Sequence, residues 1–84
     1  MALSDAHLRY LFAISNAAAA TPDVSSRQIA SALGVTKPSV VHILNILMRD
    51  GMAVKRHYGK IYLTDRGAFT VNYYRRLLDA VYYT

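Results

Sequence analysis

Between Leu33 and Lys37 the chain has only Gly34, Val35 and Thr36 in which to end one helix and start another. Gly34 is suited to the left-handed conformation that terminates a helix. Thr36 can cap the next one, and Pro38 falls in its first turn, where a missing N–H is harmless. A turn this short fixes the angle between the two helices and forces their apolar faces onto a shared core. Upstream, Ser25 or Ser26 caps the helix that carries Ile29, Ala30 and Leu33 inward. Downstream, Val40, Ile43, Leu44 and Leu47 repeat at i, i+3, i+4 and i+7, the inward stripe of a helix that Asp50-Gly51 ends. Val35, inside the turn, is expected to plug the core.

The flanks complete the pattern. Ser4 caps a first helix, with Asp5 favourable at its positive end, and Leu8, Leu11, Phe12 and Ser15 form its buried stripe. Thr21-Pro22-Asp23 stops it, because the residue before proline avoids the helical region. Residues 52–57 and 60–63 read as two short strands around a Tyr58-Gly59 turn. Thr64-Asp65 then caps a last helix running almost to Thr84, with Ala68, Val71, Leu78 and Val81 as one stripe and Tyr74 and Leu77 beside it. The expected architecture is mainly α, a winged helix-turn-helix of order α-α-α-β-β-α with a long C-terminal helix. Residues 1–84 make a single domain, since 84 residues support one core and the 54% hydrophobic content is enough to fill it.

Charge narrows the partner. Ten Lys and Arg face five acids, for a formal +5 and a pI near 9.8, and every acid is Asp. A basic domain this small has nucleic acid as its leading partner. The absence of Cys removes disulfides, thiolate metal sites and a Cys nucleophile. His7, His42 and His57 lack metal-binding spacing, and no phosphate loop or nucleophile–base pair is readable, so neither metal, cofactor nor enzyme activity is expected. Met1 to Asp5 has no signal-peptide character and no run approaches a membrane span; the expected setting is the cytoplasm, with no membrane partner.

A recognition helix needs an anchored inner face and short or polar outer side chains near its N-terminus. Residues 36–50 provide this, with Thr36, Lys37, Pro38, Ser39 and His42 as the expected base readers in the major groove. The wing, residues 52–63, would hold the backbone through Lys55, Arg56, His57, Tyr58 and Lys60, joined by Ser26 and Arg27. The expected function is a sequence-specific regulator of transcription on double-stranded DNA, independent of metal. Tyr73, Tyr74, Tyr82 and Tyr83 on the last helix and Tyr10 on the first suggest a homodimer through those two helices. Val41, Ile46 and Met48, taken as exposed, leave open a protein-interaction adaptor instead.

The stretches TKPSVVHILNILMRDGMAV and YGKIYLTDRG resemble the N-terminal winged-helix domain of the diphtheria-toxin-repressor and manganese-repressor (iron-dependent repressor) family. Thr36, Pro38, Ser39 and Val40 match the opening of that family's third helix. Arg49-Asp50-Gly51, Leu63-Thr64 and Gly67 match later elements. The resemblance implies operator reading by Thr36, Pro38, Ser39 and His42. It also implies metal ligands on the first and fourth helices, but those positions fall near Ala6, Arg9 and Arg75. The likeness is therefore to a metal-dependent repressor's DNA-binding fragment without its sensor.

Overall fold

The computed structural model describes residues 4–82, excluding the side chain of Tyr82. Four helices and a two-stranded wing follow in the expected order. They are α1 (Asp5–Ala20), α2 (Ser26–Leu33), α3 (Lys37–Arg49), β1 (Ala53–Lys55), β2 (Ile61–Leu63) and α4 (Asp65–Tyr82). Each helix start has a chemical cause. Ser4 Oγ accepts the His7 N–H, and Thr36 Oγ1 accepts the Ser39 N–H. Ser25, rather than Ser26, caps α2, and its side chain and that of Gln28 bond each other's backbone N–H in a capping box. Gly34 ends α2 at φ 68°, and the axes of α2 and α3 turn through 111°.

One core lies where α1, α2, α3 and the base of the wing converge. Leu11, Ile14, Val24, Ile29, Val40, Leu44, Leu47, Ile61 and Val71 are its fully buried members. β1 and β2 pair antiparallel, Ala53 opposite Leu63 and Lys55 opposite Ile61. The Ile61 N–H also reaches the Val24 carbonyl at 2.9 Å, which lashes the wing to the segment between α1 and α2. No single helix among the described residues is long and apolar enough to cross a membrane.

Several expectations are corrected here. On α1 the buried side chains are Tyr10, Leu11, Ala13 and Ile14, whereas Leu8, Phe12 and Ser15 are only half-buried. The stripe is rotated because α1 faces α2, α3, β2 and α4 together, which no single spacing encodes. Val35 is 36% exposed and does not plug the core. Its turn is closed by backbone bonding, the Val35 N–H to the Ala30 carbonyl at 3.0 Å, and it forms the wall of an outer groove. Val41, Ile46 and Met48 are half-buried, and Met48 packs against the core, so they form no exposed adaptor patch. The strands are shorter than 52–57 and 60–63, since residues 57–59 coil into a 3₁₀ turn.

On α4 only Val71 is buried among the expected stripe. Leu77, Leu78 and Val81 are exposed, and they lie beyond a link between this helix and α1. That link is Arg75, which donates to Asn16 at 3.2 Å and stacks over the Phe12 ring at 5.5 Å. Tyr83 and Thr84 lie outside the described residues.

Candidate nucleic-acid interface

The N-terminus of α3 stands at the surface with Thr36, Lys37, Pro38, Ser39 and His42 all exposed. Thr36 and Ser39 are coupled to each other, their hydroxyls 2.9 Å apart and the Ser39 N–H on Thr36 Oγ1. Each hydroxyl keeps acceptor capacity for an outside donor. One turn later His42 carries both a donor and an acceptor on the same outer face.

Beside this helix is a cleft of about 160 Å³ that gathers residues distant in sequence. Arg27 comes from α2, Lys37 from α3, Lys55 and Tyr58 from the wing, with Ser25, Ser26 and Gly59 between them. None of the three cations has an ion-pair partner among the described residues. The first residues of α2 and α3, Ser26 and Lys37, both line the cleft, and the positive ends of the two helices add to the field an anion meets there. Ser26, 6% exposed, is the exception among the expected contacts and is packed beneath the surface of the cleft. Ser25 and Gly59, expected only as a candidate cap and a turn residue, are the members that the sequence did not place at the interface. The Ser-x-x-Gln spacing of Ser25 and Gln28 was the available signal for the first of them.

The rest of the wing divides. Lys55 faces the cleft, and Arg56, next along the hairpin, lies in a separate hollow with Tyr62, Thr64 and Asp65. His57 is exposed, and Tyr58 is 98% exposed at the tip. Tyr58 and Gly59 both have positive φ, 62° and 72°, the pair a tight hairpin turn demands. Glycine takes that conformation freely, whereas a tyrosine there costs about 1 kcal/mol. Lys60 is not free. Its ammonium donates to the Asp23 carboxylate at 2.8 Å. That hydrogen bond, reinforced by the carboxylate charge, raises the Lys60 pKa above its ordinary value. No group of three or more His or Asp side chains stands together among the described residues.

With this geometry in view, the comparisons identify the fold. Residues 3–59 match the sequence profile of the MarR family. MepR, a transcription regulator of the Staphylococcus aureus multidrug efflux pump MepA, superposes with a TM-score of 0.77 at 21% identity, over 94% of this chain and 59% of MepR. The transcriptional repressor CouR, bound to p-coumaroyl-CoA, gives 0.76 at 28% identity, over 93% of this chain and 54% of CouR. The chain thus spans little more than half the length of either. No curated protein sequence matches it.

The resemblance to the iron-dependent repressors is overturned by that profile. The residues that carried it do structural work that winged helices share. Thr36 caps α3 by accepting the Ser39 N–H, and Thr64 Oγ1 accepts the Gly67 N–H at the head of α4. Such residues report the fold and not the lineage, and by the match over residues 3–59 the chain belongs to the MarR family.

Proposed function

We propose that residues 1–84 form one DNA-binding domain of a metal-independent transcription regulator working in the cytoplasm on double-stranded DNA. The observation that carries this is the convergence of Arg27, Lys37 and Lys55, unpaired, beside the exposed start of α3. In this reading Lys37, Pro38, Ser39 and His42 enter the major groove, with Thr36 holding Ser39 in place. Arg27, Lys55, Arg56, His57 and Tyr58 meet the backbone, and the protein performs no catalysis. Fluorescence anisotropy on random-sequence duplex across a salt series tests it. Affinity should fall steeply with salt, since each neutralised phosphate contributes a slope of about −0.9. Absence of binding at low salt would remove the reading.

The strained tip supports a contact role for Tyr58, because strain is retained where the side chain is needed. Tyr58→Asn should raise the melting temperature by about 5 °C, asparagine tolerating positive φ better, while weakening DNA binding. A circular-dichroism melt and the anisotropy assay read the two effects separately.

A homodimer fits the last helix, though not through Tyr10, which is buried in the core. Phe69, Tyr73 and Leu77, all exposed, repeat every four residues along one face of α4. Tyr73 is held edge-on to Tyr74, ring centres 5.2 Å apart. Pairing that ridge with a second copy would bury it and present two recognition helices to two half-sites. Leu77→Glu should yield a monomer by sedimentation velocity and weaken binding to a two-half-site operator by tenfold or more on the order of the lost second contact.

A further inference from the structure

We propose that Asp23 limits the affinity of this protein for DNA: it holds Lys60 in an intramolecular ion pair and so withholds one wing cation from phosphate. The inference rests on the DNA-binding reading above and adds to it a residue that works against binding.

The Asp23–Lys60 contact is the one ion pair among the described residues. The other acids stand elsewhere: Asp5 and Asp65 in the first turns of α1 and α4, Asp50 at the end of α3, and Asp79 late in α4. Asp65 shares a hollow with Arg56, but Asp23 is the acid that forms an ion pair with a wing cation among the described residues. Its backbone is fixed on both sides. The Asp23 N–H donates to Thr21 Oγ1 at 3.2 Å, and the neighbouring Val24 carbonyl accepts from Ile61, the residue after Lys60. Val24 and Ile61 are both buried, so the two charged side chains start from anchored positions. Less freedom is then lost in pairing them than for two mobile surface chains.

The pair lies open to solvent, with the side chains of Lys60 and Asp23 40% and 62% exposed. A surface pair like this adds little to folding, so its purpose is not explained by stability. Its effect on a polyanion is different. For Lys60 to meet a phosphate it must leave Asp23, or else bring a carboxylate against the DNA backbone. Either route weakens binding to every sequence alike, because phosphate contacts carry no base information. The contacts made by α3 are untouched. The specificity ratio is unchanged, because specific and random DNA lose the same factor; what Asp23 lowers is the affinity for DNA of any sequence.

The test is a double-mutant cycle on the full chain, with Asp23→Asn, Lys60→Ala and the double variant titrated against random-sequence duplex over a salt series. Asp23→Asn should bind about fivefold tighter near about 0.1 M salt, with a salt slope steeper by about 0.9. Lys60→Ala should stay within about twofold of wild type, and the double variant should lose the gain. An equal gain in both backgrounds would mean that Asp23 acts only through the general field, and the latch would be abandoned. Weaker or unchanged binding by Asp23→Asn would overturn it too, a loosened wing showing as a loss in both backgrounds. If wild-type protein binds no duplex even at low salt, the DNA reading itself falls and this inference with it.

Discussion

Gly67→Ala lowers the melting temperature by about 15 °C, the largest expected effect of any single methyl group in this protein. Gly67 is buried where the first turn of α4 crosses the chain leaving α3. A Cβ there would collide with the Met52 carbonyl oxygen and come within 3.3 Å of Leu63 Cδ2. The carbonyl cannot swing aside cheaply, because it accepts the Thr64 N–H at 3.0 Å. Thr64 is fastened in turn, its hydroxyl donating to the Gly51 carbonyl at 2.6 Å and accepting the Gly67 N–H at 3.1 Å. The clash is therefore with a backbone atom in a closed hydrogen-bonded knot. Overpacking of this kind costs about 3 kcal/mol, which for a domain of this size corresponds to the stated shift. Thermal unfolding followed by circular dichroism measures it. A variant that melts with wild type would show that α4 can slide away from Met52 freely, and that the knot does not set its position.

The same knot explains what was legible in the sequence and what was not. Caps and turns are local chemistry, so Ser4, Gly34, Thr36, Pro38 and Asp50-Gly51 marked their helix ends correctly. The inward stripe of α3 was largely legible too, since Val40, Leu44 and Leu47 are buried as their spacing requires and Ile43 is half-buried against the core. Burial on α1 and α4 depends on what lies opposite, and spacing does not report that. Tyr10, expected at a dimer interface, went to the core, and Leu78, expected in a buried stripe, stayed outside. Lineage was misread for a related reason. Thr36, Thr64 and Gly67 are demanded by the fold, so their agreement with one winged-helix family agrees with others as well.

For the candidate interface, residue type was legible and geometry was not. The basic residues of the wing could be named from the chain, but nothing in their order showed that Lys55 and Arg56 occupy different hollows. Nor did it show that Lys60 is occupied by Asp23, because the two are far apart in sequence and meet only when the wing is lashed to Val24. Arg27 and Lys37 likewise become neighbours of Lys55 only through the 111° turn between α2 and α3.

That convergence leads to the second large effect, on DNA. Replacing Arg27, Lys37 and Lys55 together with alanine should weaken binding to every duplex on the order of a hundredfold near about 0.1 M salt. The three side chains are unpaired and stand around one cleft between two helix N-termini, so they act on the same stretch of backbone. Three lost phosphate contacts reduce the magnitude of the salt slope by about 2.7, and the loss of affinity follows from that slope. Folding should be little changed, since all three side chains are exposed and none is in an ion pair. His42→Ala is the contrasting variant. It removes no permanent positive charge, and it should leave affinity for random DNA nearly intact while relaxing preference at one base position by about 1–3 kcal/mol. Anisotropy titrations of both variants, on random duplex and on an operator selected from it, separate the roles. A triple variant that kept its salt slope would place the phosphate contacts elsewhere on the protein, and a His42→Ala variant that lost random-sequence affinity would move that residue from the bases to the backbone.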